Sequence, residues 1–331
     1  MTQYRLPLVD RFGRRHNYLR ISVTDRCNFR CAYCMPHEEM EWTPQSEILS
    51  FEEIERLTRL FVSLGVDKVR LTGGEPTTRK GLVDLVAKLS PIEGLRTILM
   101  TSNGDALGTM AVPLREAGLK GLNISLDTLK PDRFFEITHR NRLDRVLAGI
   151  EATLDAGFES VKINVVAMAG VNEDELCDFI DHFKDYPVEV RFIEFMPFLS
   201  NGWQKGRMLP YAEMRQRIES KFQLTPIVTE KSAVAKEFSV AGAKVRIGFI
   251  TSMTDDFCGG CNRIRLTADG RLKVCLFAKT GPSLRDAMRS GASNDELTKT
   301  ISGALDGKWA AHPPMHRLIQ TNDLPMISIG G

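Results

Sequence analysis

The sequence predicts an α/β fold: an incomplete (β/α)6 TIM-type barrel over residues 1–200, with a smaller α+β domain over 201–331 closing its open side. Two patterns carry this expectation. Strand-like apolar runs alternate with helical periodicity about six times between residues 19 and 196, which is the mark of a parallel sheet. The rhythm then stops after Met196-Pro197, where a turn-rich stretch begins.

Taken in order, the first strand is expected over Leu19–Thr24. A helix over Phe51–Leu64 follows, with Ser50 as N-cap and Glu53 completing a capping box. Next come strand Lys68–Thr72, helix Leu82–Leu89, strand Arg96–Ser102 and helix Met110–Ala117. Strand Leu122–Asp127, helix Arg142–Ala156, strand Val161–Val166, helix Glu173–Phe183 and strand Val188–Phe195 complete the repeat. Beyond the boundary, Tyr211–Phe222 reads as helical and Lys236–Thr251 as two strands. A hairpin over Ile264–Val274 turns at Ala268-Asp269-Gly270, and short helices fill Ser283–Leu305.

Strands covered on both faces usually run as continuous apolar stretches, and an eight-stranded barrel fills its centre with branched apolar side chains. Here the strands alternate. Leu19, Ile21 and Val23 oppose Arg20, Ser22 and Thr24, and Val69 and Leu71 oppose Lys68, Arg70 and Thr72. The later strands place Asn123, Ser125, Lys162, Asn164, Glu189 and Arg191 on the polar side, as the third does, less cleanly, with Thr101. Period two gathers these residues on one face. A sheet open to water on one side would alternate in the same way, but the parallel βα rhythm weighs against it. The expectation is a curved sheet with a polar, ligand-holding lumen.

The chain has 331 residues, 43% of them hydrophobic and 26% charged, so a packed core is expected and wholesale disorder is not. A net charge of +2 argues against a nucleic-acid coat, which needs a basic stripe to displace counterions. It does not exclude a small charged pocket, because net charge says nothing of how charges are sorted. Arg14-Arg15 has no apolar run behind it, so no export signal is expected. No stretch approaches the roughly 18 apolar residues of a membrane span. The expected location is cytoplasmic.

Seven cysteines fall into two groups of three, with Cys177 apart in a helical pattern. An odd number of thiols in a reducing compartment makes a poor disulfide framework and suggests metal. Cys27, Cys31 and Cys34 form a C-x3-C-x2-C run just after the first strand. Three thiolates in so short a loop suit an iron–sulfur cluster with one iron left open. Structural zinc is the competing reading, with His37 as the nearest fourth ligand. Cys258, Cys261 and Cys275 form a C-x2-C-x13-C set, which lacks the fourth ligand of a zinc ribbon.

The first cysteine run after the first strand of a partial βα barrel resembles the radical S-adenosylmethionine enzymes. In that family the open iron chelates S-adenosylmethionine, and an electron from the cluster cleaves its carbon–sulfur bond. The resulting 5′-deoxyadenosyl radical abstracts a substrate hydrogen. The glycine-rich Gly73-Gly74-Glu75-Pro76 resembles the family's segment for the methionine moiety. By the same resemblance Tyr33, Gly74, Ser125 and Met196 match S-adenosylmethionine contacts.

Both triads together, with Cys-Asn-Arg-Ile-Arg at 261–265, resemble the GTP 3′,8-cyclase branch along essentially the whole chain. That resemblance implies two [4Fe-4S] clusters, conversion of GTP to 3′,8-cyclo-7,8-dihydro-GTP, and a second cluster whose open iron meets the guanine base. It assigns GTP contacts to Arg20, Arg70, Thr101, Lys162 and the segment Arg263, Ile264, Arg265. Arg191 is added from the strand pattern alone. The tail Gly330-Gly331 is expected to reach the active site. The partners implied are an external electron donor and cyclic pyranopterin monophosphate synthase, with neither nucleic acid nor membrane and either a monomer or a homodimer. Two other readings compete. A peptide-modifying two-cluster enzyme should carry a recognition segment before the barrel, where about 18 residues stand here by the strand assignment. A zinc-stabilised nucleic-acid binder should have a strongly basic surface.

Overall fold

Six parallel strands follow one another in chain order. They are β1 (Tyr18–Ser22), β2 (Lys68–Thr72), β3 (Thr97–Ser102), β4 (Gly121–Ser125), β5 (Ser160–Ala167) and β6 (Glu189–Glu194). The computed structural model describes residues 7–35, 41–198, 201–321 and 324–330. The crossovers carry α1 (Phe51–Ser63), α2 (Leu82–Leu89), α3 (Leu107–Glu116), α4 (Pro131–Thr138), α5 (Leu143–Asp155) and α6 (Leu176–Phe183). Ser50 and Glu53 form the expected capping box on α1, with Oγ accepting from Glu53 N at 3.1 Å.

Residues beyond 200 add α7 (Tyr211–Glu219), β7 (Leu224–Ile227), β8 (Lys236–Val240), β9 (Arg246–Ile250), β10 (Arg263–Leu266) and β11 (Leu272–Lys273). Helices α8 (Leu284–Arg289), α9 (Asn294–Asp306), α10 (Met315–Thr321) and α11 (Met326–Ile329) end the chain. The strands join the same sheet, in the order β11-β10-β1-β2-β3-β4-β5-β6-β9-β8-β7. β10 lies parallel to β1 and β9 parallel to β6, so both edges of the partial barrel are bordered by the C-terminal segment. The sheet does not close on itself.

The apolar side of each strand packs under the helices. Leu19 and Ile21, Val69 and Leu71, Ile163 and Val165, and Val190 and Phe192 join Leu57, Phe61, Leu85 and Leu89 in one buried cluster. Each such side chain contributes roughly 1.5–3 kcal/mol by leaving water. The polar side is not a water face. Ser22 and Thr72 are each 1% exposed and Arg70 5%. Helices α4, α10 and α11 and strand β7 were not expected from the sequence; α4, which opens with Pro131 at its first position, shares its crossover with the expected α5.

Candidate active site

The register of β10 on β1 decides the layout. Tyr18 stands opposite Arg263 and Arg20 opposite Arg265. Cys258 and Cys261 therefore lie at the N-terminal ends of these strands. Cys275 joins them, because it follows β11, which runs antiparallel to β10. Cys27, Cys31 and Cys34 lie beyond the C-terminal end of β1. One triad stands at each end of the lumen, separated by strands of five residues, roughly 17 Å at the usual rise.

The first triad's loop is held from two sides. Arg30 N and Ala32 N donate to the carbonyls of Thr138 and Ile137 at the end of α4, each at 3.0 Å. On the other side Gly74 N and Glu75 N donate to Thr24 and Arg26 carbonyls, at 2.7 and 2.8 Å. A Cβ at Gly74 would stand 2.3 Å from Arg26 O, so only glycine permits this approach. Glu75 is buried and accepts from Thr77 N, Thr77 Oγ1, Ser102 Oγ and Asn103 N at 2.6–3.1 Å, tying the glycine turn to β3. Tyr33 donates its hydroxyl to Asp127 Oδ2 at 2.6 Å, and Val166 N donates to Oδ1 at 2.8 Å. Burial lifts Asp127 to about 6. Burial, with Glu75 adding to it, pushes the Cys27 thiol up to about 11. Cys34 rises to about 12 through burial and its neighbours Cys27 and Asp127.

The second triad is differently furnished. Lys308 Nζ donates to Cys261 Sγ at 3.5 Å and to Arg263 O at 2.8 Å. Burial alone would raise Cys261, but Arg263 and Lys308 overcome it and bring the thiol down to about 7. Cys258, in contrast, is pushed up to about 12 by burial. Arg14 Nη1 donates to Cys258 O and Ala310 O, each at 2.7 Å, and its Nε to Asp10 Oδ2 at 2.6 Å. His16 shares that carboxylate at 3.0 Å. Ser252, Phe257, Val274, Leu276, Phe277 and His312 complete the walls of a cavity around this triad.

Between the triads the lumen is cationic. Arg265, Arg20 and Arg70 stand side by side across β10, β1 and β2, with Arg263 and Lys68 flanking Tyr18 in the row below. Among the described residues no carboxylate pairs with Arg70, Arg263, Arg265 or Lys68. Burial and then Arg265 hold Arg20 well below the usual guanidinium range, and burial and then Arg263 bring Arg265 to about 10. The hydroxyls of Thr72 and Thr101, Asn164 Oδ1 and Arg263 Nη2 are buried without a partner among the described residues. Such a set is costly unless an anionic, polar ligand meets it.

The remaining expected residues are placed as follows. Ser125 ends β4 on the luminal face, beside Asn164. Met196 lies just past β6 and packs against the cluster of Phe198, Phe277, Leu318 and Ile329. Lys162 faces the lumen but pairs with Glu189 at 2.5 Å, and Arg191 shares that carboxylate at 2.6 Å. Ile264 turns the other way, into the core beside Leu19, so of its segment only Arg263 and Arg265 offer side chains to the lumen. Gly330 rests on Ser22 and Thr72: a Cβ there would meet Thr72 Oγ1 at 2.4 Å, and its carbonyl accepts from Arg265 Nη1 at 2.8 Å. Its φ of +76° also favours glycine. Gly331 and His37 lie outside the described residues. Cys177 sits on α6, its Sγ 3.7 Å from Arg217 O.

Neither triad has its three sulfurs all within 4.8 Å of one another. A single tetrahedral zinc would draw them to roughly 3.8 Å. Both triads suit a polynuclear cluster better than one ion. Asp256, Cys258 and His312 do lie that close, but each ring nitrogen of His312 is 2.8 Å from a carbonyl, of Pro313 or Ser252.

A family model described as Radical SAM superfamily matches residues 21–183, and one described as Molybdenum Cofactor Synthesis C matches 188–314. Over 325 residues the chain is 48% identical to "GTP 3′,8-cyclase, mitochondrial" of Arabidopsis thaliana, covering 98% of this chain and 83% of that one. The chain belongs to the GTP 3′,8-cyclase family. It is also 49% identical over 324 residues to "Molybdenum cofactor biosynthesis protein 1" of Mus musculus, covering 98% of this chain and 51% of that one. It thus spans about half the length of that curated relative. The crystal structure of Streptococcus suis SuiB bound to S-adenosylmethionine aligns with a TM-score of 0.58 at 15% identity, over 82% of this chain and 65% of that one. That likeness shows the fold alone. No helix among the described residues is long and apolar enough to cross a membrane.

Several residues of this GTP 3′,8-cyclase family site lie outside the motifs that the sequence offers. Lys68 was legible on the polar side of its strand, and its luminal place follows from the same period-two rule as Arg70. Tyr18 was not, because it lies one residue before the expected strand. Its hydroxyl accepts from Arg70 Nε at 2.5 Å, and although burial opposes this, Arg70 and Arg20 bring it down to about 8. Asp10, Arg14, His16 and Lys308 carry no local signal, since they meet only in the folded chain.

Proposed function

We propose that this chain, with S-adenosylmethionine and two [4Fe-4S] clusters, converts GTP to 3′,8-cyclo-7,8-dihydro-GTP, the first step of molybdenum cofactor biosynthesis. The observation that carries this is the cationic row of Arg265, Arg20 and Arg70 lying between two cysteine triads at opposite ends of one lumen. Cys27, Cys31 and Cys34 would hold one cluster and Cys258, Cys261 and Cys275 the other, the first within residues 1–200 and the second within 201–331. With S-adenosylmethionine bound, the first cluster would supply the electron for reductive cleavage, the chemistry that makes removal of a substrate hydrogen possible.

The chain's own residues do the rest. Gly74 brings backbone close to the first site, Asp127 fixes the Tyr33 ring, and Ser125 at the end of β4 and Met196 just past β6 lie at the same end of the lumen. Arg20, Arg70, Arg263 and Arg265 grip the triphosphate through charge-assisted hydrogen bonds, with Thr101 and Lys162 beside them. That grip directs the ribose toward the first triad and the guanine toward the second, so that ribose C3′ and guanine C8 are joined in a fixed geometry. Gly330, buried against Ser22 and Thr72, excludes water from this space, and Ile329 anchors it in the apolar cluster of Phe198, Phe277 and Leu318. An external electron donor supplies the reducing equivalents, and cyclic pyranopterin monophosphate synthase takes the product. Seven free thiols suit a reducing compartment, and we read the location as cytoplasmic.

The test is anaerobic incubation of the reconstituted protein with S-adenosylmethionine, a reductant and GTP. 5′-Deoxyadenosine should form in step with cyclised product and only when GTP is present. Formation driven by a peptide and indifferent to GTP would overturn the reading in favour of the peptide-modifying alternative.

A further inference from the structure

A buried lysine stands behind the second triad. Lys308 is 2% exposed, and among the described residues it makes no ion pair with a carboxylate. Its position is not left to side-chain drift. Lys308 N donates to Leu305 O at 3.0 Å where α9 ends, and Arg14 grips the carbonyls of Trp309 and Ala310. The ammonium is thereby aimed at Cys261 Sγ and Arg263 O.

An ammonium withdrawn from water needs a negative partner. The nearest group able to serve is the thiolate of Cys261. Cluster-bound thiolates are net electron donors, and each electron added to the cluster makes the ensemble more negative. A fixed cation hydrogen-bonded to one sulfur therefore favours the reduced state. The first triad has no such cation on its sulfurs. Among the described residues its sulfur contacts are Phe29 N at 3.4 Å and Asn103 Nδ2 at 3.9 Å, both on Cys27.

We infer that Lys308 is a positioning residue that raises the reduction potential of the second cluster relative to the first through its hydrogen bond to Cys261. With two clusters in one lumen, this difference decides where an added electron rests. The inference depends on the reading that Cys258, Cys261 and Cys275 hold a cluster.

The experiment is a potentiometric titration of the anaerobically reconstituted full chain, followed by electron paramagnetic resonance. The second cluster's signal is assigned by its loss in Cys275→Ala. Lys308→Met should lower the ratio of reduced to oxidised second cluster about tenfold at a fixed potential, equivalent to about 59 mV for a one-electron couple. The first cluster, read in the same sample, should not move. Lys308→Arg, which keeps charge and donor, should restore the wild-type midpoint. If Lys308→Met fails to load the second cluster, Lys308→Gln takes its place in the comparison with Lys308→Arg. Superimposable midpoints in the charged and uncharged variants, at full iron content, would overturn the inference, as would an equal shift of both clusters. Wild-type protein holding about four irons instead of about eight would instead overturn the two-cluster reading, and this inference with it.

Discussion

Around Cys27, Cys31 and Cys34 the buried carboxylates Glu75 and Asp127 outweigh the Arg30 guanidinium beside Cys27, whereas Cys261 lies beside Arg263 and Lys308. The two triads share a residue type and differ in spacing and in field. The first site is desolvated and bordered mainly by carboxylates, a setting that opposes extra negative charge and would make a bound cluster a stronger reductant. The second opens onto the arginine row, a setting that draws anions. The difference teaches that one lumen can assign its ends separate tasks through their flanking residues, even when the metal-binding residues are the same.

The largest effects should come from removing the triads themselves. Cys27→Ala should abolish S-adenosylmethionine cleavage, whereas Cys275→Ala should leave some cleavage and suppress the cyclised product. Chromatography of 5′-deoxyadenosine and product distinguishes them, and equal loss of both in both variants would erase the proposed division.

The support behind the second triad should be acid-sensitive. Burial, with Lys308 adding to it, lowers His16 from the usual 6.5 to about 4, while Asp10 opposes the shift. Between those values the unfolded chain binds the proton and the folded one does not. The contribution of neutral His16 is therefore whole above pH 6.5 and lost as pH falls toward 4, roughly 3 kcal/mol in all. Denaturant titrations across this window should show the slope, and His16→Gln should flatten it.

In cluster-free protein at pH 7, Cys261 should be alkylated about a hundredfold faster than Cys27. Its greater thiolate fraction is partly offset by weaker nucleophilicity. Its rate should reach half its maximum near pH 7. Mass-spectrometric mapping of iodoacetamide adducts reads this directly. Comparable rates at both triads would contradict the contrast in field.

The smallest effect concerns the row between the ends. Arg265→Ala should weaken GTP binding about tenfold, as expected for one charge-assisted bond, and lessen its dependence on salt. S-Adenosylmethionine affinity should stay the same. Calorimetry at two ionic strengths measures both.

Much of this was legible in the chain. The six parallel strands fell within a residue or two of their predicted limits, because period-two alternation and flanking helices are local signals. The same alternation placed Arg20, Arg70 and Lys162 on one face. The cysteine spacings picked out both triads that the fold places at opposite ends of the lumen. At Ile264 the pleat turns the side chain into the core while its neighbours face the lumen, so only its backbone is left to face a ligand. Helix α4 and the Asp10–Arg14–His16 network went unread, the first because α5 alone already satisfied the βα repeat in that crossover and the second because Arg14 meets Cys258 across 244 residues of chain.

By itself, then, the sequence determined the parallel barrel, the polar lumen and the grouping of the cysteines into two triads, since each depends on periodicity or spacing over a few residues. Only the tertiary structure decided that the sheet continues past residue 200, with β10 entering beside β1. That single parallel pairing aligns Arg265 with Arg20 and Arg70 and sends the two triads to opposite ends. It also brings Lys308 to Cys261. Strand pairing between distant segments is set by which edge is left uncovered when the core forms, and no local pattern in either segment records it.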